Sequence, residues 1–284
     1  MNITTTTQFC GVIGNPVQHS LSPAIHNAAF QTLGLNFIYL AWKVQDLADA
    51  IKGLRALGNF RGASVTIPHK MAVLPFLDEV DATARHIGAI NTIVADNGKL
   101  LGANTDATGA LRALKEGKAR LRGESVIILG SGGAARAIAF ALAAESGIRR
   151  LHLLGIDDQE RQGLAKDVSE KTAVPVAEAF LNDHSLQTAL REAAVMIHCT
   201  PLGMSPNTGT SCVPPHLLQP GLTVMDIVYN PCETKLLADA RAAGCQTISG
   251  LEMFLYQAAA QFERWTGQSA PTQVMRDVLE SHFK

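Results

Sequence analysis

The stretch that decides the fold is Ser125-Val-Ile-Ile-Leu-Gly130-Ser-Gly132-Gly133-Ala-Ala-Arg136-Ala-Ile-Ala-Phe140. A β-branched apolar run enters a glycine-rich turn, and a helical pattern leaves it. In G-x-G-x-x-G/A, Gly130 permits the sharp turn, Gly132 lets a phosphate approach the backbone, and Ala135 allows close helix–strand packing. The helix N-terminus offers unpaired N–H groups to phosphates. The stretch therefore predicts a dinucleotide-binding unit, and a merely structural βα turn is the alternative.

Composition narrows the classes of protein that the chain can represent. Its 284 residues suggest about two domains. With 47% apolar and 17% charged residues it can form ordinary cores, and a net charge of −1 without a basic stripe argues against nucleic acid or a membrane as partner. Five scattered cysteines without C-x-x-C, and no signal-peptide pattern, predict a reduced, cytoplasmic setting. His spacing predicts no dedicated metal site.

The order of predicted elements indicates an α/β fold with two domains. From residue 125 onward, strands near 151–154, 194–199 and 222–228 alternate with helices, which predicts a doubly wound Rossmann domain over 106–250. About 100 residues precede the glycine turn, so we expect a mixed α/β substrate domain of 1–105 plus 251–284, with a cleft between the domains. Within it we expect a helix from near His69 through Ala84, and an antiparallel edge hairpin with its turn at Asn97-Gly98.

Polar residues at strand and helix ends in the first domain are candidates for chemistry. Ser20 and Ser22, two residues apart in a loop, could both donate to an oxyanion; alternatively, Ser20 is a turn residue and Ser22 a helix N-cap before Pro23. Lys70 lies where a helix begins, an unfavourable place for a cation, and is a candidate acid/base group. Asp106 could cap the next helix, or pair with Lys70 and orient it.

Segments spread along almost the whole chain carry a family resemblance. They are Gly14-x-Pro16-x-x-His19-Ser20-x-Ser22-Pro23-x-x-His26-Asn27, Val65-Thr66-x-Pro68-x-Lys70, Asn91-Thr92, Asn104-Thr105-Asp106-x-x-Gly109, Gly130-x-Gly132-Gly133-Ala134, Asp226-x-x-Tyr229-x-Pro231 and Gly250-x-x-Met253-x-x-x-Gln257-Ala258. Together they resemble the shikimate dehydrogenase family. The resemblance implies hydride exchange between nicotinamide and a ring polyol carboxylate (shikimate, quinate, aminoshikimate or a relative), giving the 3-dehydro ketone.

The resemblance also implies a role for each matching residue. Lys70 and Asp106 would flank the reacting hydroxyl, and whether Lys70 is the base or mainly a binding group stays open. The implied substrate residues are Ser20, Ser22 and Tyr229 at the carboxylate, and Thr66, Asn91 and Gln257 at ring hydroxyls. The implied cofactor-binding residues are Gly130, Ser131, Gly132, Gly133, Ala134, Asp157, Gly250 and Met253.

The turn after the second Rossmann strand departs from the commonest family pattern. NADP-dependent members tend to have Asn-Arg-Thr there, whereas this chain has Gly155-Ile156-Asp157. An aspartate at this place accepts from ribose hydroxyls in NAD sites, so we predict NAD rather than NADP as cofactor. We expect Asp158 to cap the following helix, although the two acids could exchange roles, and Arg161 to face solvent.

Two other functions stay open at this point. One is an NADP-dependent biosynthetic shikimate dehydrogenase. The other is a ligand-sensing module of the same fold with little turnover. A homodimer is compatible with the sequence, which does not indicate the oligomeric state.

Overall fold

The computed structural model describes residues 3–283 and divides into two compact units. Unit 1 comprises Met1–Thr105 and Leu255–Lys284, and unit 2 comprises Asp106–Phe254. Each unit has its own six-stranded sheet with helices, so the predicted α/β class is confirmed.

Unit 1 contains a mixed sheet. Its strands are β1 (Gln8–Gly14), β2 (Phe37–Lys43), β3 (Phe60–Val65), β4 (Glu79–Val80), β5 (Thr92–Asp96) and β6 (Lys99–Ala103). They are ordered β2-β1-β3-β5-β6-β4, with β1, β2 and β3 parallel and β5 antiparallel to both of its neighbours. The predicted hairpin is β5–β6, and Asn97 and Gly98 both have positive φ in its turn. The hairpin is not the edge, because β4 pairs with β6 beyond it.

Unit 2 contains an all-parallel sheet. Its strands are β7 (Ser125–Leu129), β8 (Arg150–Gly155), β9 (Val176–Phe180), β10 (Ala193–His198), β11 (Thr223–Asp226) and β12 (Gln246–Ile248). Their order, β12-β11-β10-β7-β8-β9, reverses direction between β7 and β10. This is the doubly wound dinucleotide-binding order, in which ligands bind at the carboxyl ends of the strands beside that switch point.

Helices connect and cover the strands. They are α1 (Ser22–Thr32), α2 (Leu47–Arg55), α3 (His69–Ala72), α4 (Ala82–Ile87), α5 (Thr105–Glu116), α6 (Gly133–Glu145), α7 (Asp158–Lys171), α8 (Asp183–Leu190), α9 (Lys235–Ala242), α10 (Gly250–Thr266) and α11 (Thr272–His282). The predicted junction near residue 251 falls inside α10, which runs on without a break. No helix in the described part of the chain has the length and apolar character of a membrane span.

The single helix predicted from His69 through Ala84 is wrong. The chain instead forms α3, a 3₁₀ turn at Leu74–Phe76, the short strand β4 and then α4. Pro75 lacks the N–H that a continuing helix needs. The Asp78 carboxylate accepts the backbone N–H of Leu100 at 2.7 Å, which holds this segment beside the hairpin as an extended chain.

Each unit buries its own core. In unit 1, Phe30, Tyr39, Phe262 and Trp265 are all almost completely buried, so the C-terminal helix α10 is part of this core. In unit 2 every residue of β7 is buried, as expected for a central strand covered by helices on both faces. The C-terminal part of the chain from Leu255 onward belongs to unit 1.

Candidate active site

Two connections of unit 1 meet where the parallel strands β1 and β3 end. The Asn15 N–H donates to the Ile67 carbonyl at 2.9 Å, and the Thr66 N–H donates to the Ile13 carbonyl at 2.9 Å. A Cβ atom at residue 14 would clash with the Thr66 side chain, so this position requires glycine. The loop that leads to Ser20 and the turn that leads to Lys70 therefore start side by side.

Ser20 and Ser22 lie at the start of α1, as the sequence predicts, but Ser22 does not cap it. The N-cap position is Leu21, and no side chain caps the helix. Ser22 is itself the first helical residue, and its N–H donates to the Ser20 hydroxyl oxygen at 3.3 Å. The Ser22 hydroxyl instead interacts with the buried phenol of Tyr39. The Ser22 side chain is therefore part of the buried interior beside Tyr39.

Backbone bonds bring Lys70 next to Asn91. The Ile90 N–H donates to the Lys70 carbonyl at 2.8 Å, and the Val65 N–H donates to the Asn91 carbonyl at 2.8 Å. Lys70 is half-buried, and Asn91 is only 2% exposed. Because β5 is antiparallel to β3, its first residue lies at the edge where β3 ends.

The Asn91 side chain fixes the start of α5. Its Oδ1 atom accepts the Thr105 N–H at 2.6 Å, and its Nδ2 donates to the Thr105 hydroxyl at 3.0 Å. Asp106 follows Thr105 in the first turn of that helix. Asn91 is thus a structural anchor as well as a predicted ligand of the substrate.

Gln257 reaches the same unit through α10. It is 8% exposed, and Gln261 one turn later donates to the Asn91 carbonyl at 3.1 Å. Unit 1 therefore contains six of the eight residues predicted for substrate and catalysis: Ser20, Ser22, Thr66, Lys70, Asn91 and Gln257. Asp106 and Tyr229 belong to unit 2.

The glycine turn of unit 2 has the features that a pyrophosphate site needs. Gly130 has φ of +108°, and a Cβ atom there would lie 3.1 Å from the Cys199 carbonyl oxygen. A Cβ atom at Gly132 or Gly133 would meet nothing within 4 Å, so the space in front of the turn is open. Gly132 is the N-cap of the 13-residue helix α6 and provides no side-chain cap. The first N–H groups of this helix are therefore available to phosphate oxygens.

Asp157 lies in the turn between β8 and α7, and two expectations about this turn are wrong. Asp157, not Asp158, is the N-cap, and its Oδ1 atom accepts the Glu160 N–H at 2.8 Å. Arg161 does not face solvent, because it is only 5% exposed. Its guanidinium forms ion pairs with Glu178 and with Asp158, the latter at 2.7 Å. Glu178 lies on β9, and this partner could not be identified from the local sequence.

Three other predicted residues lie near the carboxyl ends of β11 and β12. Gly250 opens α10, and a Cβ atom there would clash with the Ile227 carbonyl. Met253 is 7% exposed in the next turn. The Tyr229 ring stacks on Phe254 with ring centroids 4.8 Å apart, and burial raises the pKa of its phenol. The structure thus groups these residues within unit 2.

Sequence reasoning missed a buried charged pair beside the glycine turn. His198 Nδ1 lies 2.9 Å from Asp226 Oδ1, and Asp226 also accepts the Thr234 hydroxyl at 2.6 Å and the Val228 N–H at 3.0 Å. The His198 Nε2 atom bonds to the Thr200 hydroxyl, which begins the long loop after β10. Asp226 was part of the motif that ends in Tyr229 and Pro231, and its position at a strand end was the available signal.

Comparisons with known proteins agree along the whole chain. A family model described as the shikimate dehydrogenase substrate binding domain matches residues 12–93, and one described as the shikimate 5′-dehydrogenase C-terminal domain matches residues 250–280. The chain is 46% identical over 282 residues to a shikimate dehydrogenase (NADP(+)) of Moorella thermoacetica, covering 98% of this chain and 95% of the relative. Curated relatives from other organisms at 42–45% identity carry the same name.

Solved structures give the same result. A shikimate 5-dehydrogenase of Listeria monocytogenes, in complex with shikimate and NAD, superposes with a TM-score of 0.94 at 38% identity and 98% coverage of both chains. A quinate dehydrogenase of Corynebacterium glutamicum in complex with NAD superposes with a TM-score of 0.90 at 33% identity, covering 97% of this chain and 99% of that one. The two-domain Rossmann-type architecture is therefore shared with proteins that differ in their named substrate.

Proposed function

Because the chain belongs to the shikimate dehydrogenase family, we propose that it interconverts shikimate, or a related ring polyol carboxylate, and its 3-dehydro ketone with a nicotinamide dinucleotide. The observation that carries this proposal is the grouping in unit 1 of five implied substrate residues together with Lys70. Among them, Lys70 and Asn91 are joined through neighbouring backbone bonds at the edge where β3 ends. Such convergence of hydroxyl, amide and ammonium groups suits a ligand that carries a carboxylate and several hydroxyls.

The chemistry assigns a separate task to each group. Oxidation of a ring alcohol to a ketone removes a hydride from carbon and a proton from oxygen, and the bound nicotinamide supplies the hydride acceptor. Lys70 in its neutral form takes the proton and returns it in the reverse reaction. Asp106 is the second residue that the family resemblance implies at the reacting hydroxyl. The hydroxyls of Ser20 and Ser22 are proposed to donate to the substrate carboxylate, for which the resemblance also implies Tyr229.

Unit 2 fits the dinucleotide without further assumptions. The open space at Gly132 and Gly133 and the uncapped start of α6 suit the pyrophosphate, and Asp157 suits a ribose. Gly250 and Met253 would border the nicotinamide. These residues bind and orient the cofactor, and the reactivity toward hydride belongs to the cofactor itself.

The names of the relatives and the residues of the β8–α7 turn point to different forms of the dinucleotide. The names of the curated relatives favour NADP(+), the cofactor of the biosynthetic alternative. The acidic turn favours NAD, because Asp157 would repel a 2′-phosphate and Arg161 is already paired with Glu178 and Asp158. The proposal is thus a nicotinamide dinucleotide, and NAD preference is a prediction that rests on Asp157.

The test is a screen of purified protein with shikimate, quinate and aminoshikimate, each with NAD and with NADP, followed by reduced-cofactor absorbance. We expect turnover of at least one acid and a ratio of kcat/KM values that identifies the preferred cofactor. Absence of reduced cofactor from every combination would reject the enzymatic proposal. Binding of acid and dinucleotide without turnover would indicate the ligand-sensing alternative.

A further inference from the structure

Gln261 is a buried residue of α10 to which no role has been assigned. It is 1% exposed, and all of its described partners belong to unit 1. Its Oε1 atom accepts the Ser64 hydroxyl at 2.8 Å. Its Nε2 atom donates to the Asn91 carbonyl and to the Thr92 hydroxyl, both at 3.1 Å. One amide therefore links helix α10 to β3 and to the start of β5.

Each element that Gln261 links carries or directly adjoins one of the residues assigned to ring hydroxyls. Ser64 lies on β3, and Thr66 directly follows the end of that strand. Asn91 directly precedes β5, and its carbonyl accepts a hydrogen bond from Gln261. Gln257 precedes Gln261 by four residues, so both side chains point from the same face of α10. The Gln261 amide therefore links all three of the elements that position these substrate contacts.

The hydrogen-bond directions leave one orientation for this amide. The Ser64 O–H donates to Gln261 Oε1, so the Tyr39 O–H must donate to Ser64 Oγ, at 2.6 Å. The Thr92 O–H donates to Asn91 Oδ1 at 2.7 Å, so Thr92 Oγ is an acceptor for Gln261. Only a side chain with an acceptor and a two-proton donor satisfies all of these neighbours.

We propose that Gln261 is a positioning residue that sets the spacing of the Thr66, Asn91 and Gln257 side chains and thereby the selectivity among ring polyol acids. The inference rests on the proposed function, because it presumes that these three residues contact ring hydroxyls. Acids of this class differ in the hydroxyls that their rings carry, and a site built to hydrogen-bond a hydroxyl discriminates strongly against its misplacement. A shift in α10 would therefore change which acid fits.

The test compares Gln261→Met with Trp265→Phe. Trp265 is one turn further along the same helix, is buried, and donates through Nε1 to the Ile93 carbonyl of β5 at 2.9 Å. Both substitutions remove a bond between α10 and β5, but Trp265 lies farther along the helix from Gln257. If the substrate KM depends only on the attachment of α10 to β5, both substitutions should raise it. If it depends on the positioning of the substrate contacts by Gln261, only Gln261→Met should raise it.

For Gln261→Met we expect the substrate KM to rise about tenfold while kcat changes less and the dinucleotide KM stays within about twofold. We also expect the ratio of kcat/KM values for shikimate and quinate to change. Trp265→Phe should lower the melting temperature and leave the substrate KM within about twofold. An equal rise of KM in both variants, or an unchanged KM in folded Gln261→Met, would overturn the inference.

A milder variant keeps the test decisive if Gln261→Met does not fold. Ser64→Ala removes the donor to Gln261 Oε1 and leaves the other bonds of the amide in place. Like Gln261→Met, it should raise the substrate KM, here by about threefold. An unchanged KM would contradict the inference. Inactivity of the unmodified protein toward all acids would instead reject the proposed function, so the two failures are distinguishable.

Discussion

Asn91 Oδ1 accepts the backbone N–H of Thr105 at 2.6 Å, so the start of β5 is bonded to the start of the helix that carries Asp106. The same asparagine lies beside Lys70 through the bond from Ile90 to the Lys70 carbonyl. The Asn91 side chain therefore holds the start of the helix that carries Asp106, and the backbone of the preceding residue holds the Lys70 segment.

Replacement of this asparagine should affect both stability and activity. Asn91→Ala leaves the buried Thr105 N–H without its acceptor, which should cost about 1–3 kcal/mol of unfolding free energy. The kcat/KM for the acid should also fall. Denaturant unfolding and steady-state kinetics measure the two effects. Asn59→Ala is the matched control, because Asn59 donates to the Thr7 carbonyl at 2.9 Å before β3 begins; an equal loss of activity in that variant would contradict the role of Asn91.

Removal of the candidate base should separate chemistry from cofactor binding. Lys70→Met should lower kcat by about 10²–10⁴-fold, the usual contribution of a positioned acid/base group. The dinucleotide dissociation constant, measured by fluorescence titration, should stay unchanged. Lys99→Met removes an exposed lysine that pairs with Glu79 and should retain full activity. A Lys70→Met enzyme with nearly normal kcat would show that Lys70 is not the base.

Cofactor preference should respond to Asp157. Asp157→Ser keeps a side-chain oxygen for the N-cap of α7 but removes the charge that would face a 2′-phosphate. We expect the ratio of kcat/KM with NADP to that with NAD to rise about tenfold, since the exposed site screens part of the charge effect. Asp183→Ser, at the start of α8, is the control. A wild-type enzyme that already prefers NADP would refute the assignment.

Stability at alkaline pH should depend on His198. Burial alone lowers its pKa, but the hydrogen bonds and charges of Asp226 and Cys212 more than offset this and raise it to about 9. The folded state therefore holds this proton more tightly than the unfolded chain, and the resulting stabilisation is complete below pH 6.5 and is lost as pH rises through 9. Melting temperatures between pH 7 and pH 10 should fall less steeply in His198→Asn than in the wild type. Parallel curves would contradict the prediction.

His26 should have the opposite effect. Burial lowers its pKa to about 3, and its ring stacks on Tyr39 with centroids 4.5 Å apart. Since the unfolded chain binds this proton and the folded chain does not, stability should decrease as pH falls below 6.5. His26→Phe should remove part of that acid sensitivity in a urea titration at pH 5 and pH 7, and an unchanged difference between these two pH values would refute it.

Local patterns predicted much of the fold and of the site. The run before Gly130, the open positions after it and the Asn97-Gly98 turn depend on backbone preferences of neighbouring residues, and the structure agrees at each place. The segment from His69 to Ala84 did not form its predicted helix, because strand pairing with β6 competed with its helical pattern.

The sequence by itself determined the α/β class and most of the elements, because these depend on spacing along the chain, and its family resemblance implied the residues that suit a ring acid and a dinucleotide. Only the tertiary structure decided what surrounds each side chain. Glu178 lies 17 residues from Arg161 along the chain and forms an ion pair with its guanidinium. Asn91 lies 170 residues from Gln261, which donates a hydrogen bond to its carbonyl. Such contacts form when strands and helices pack, and no local pattern specifies which distant partner a polar group will meet.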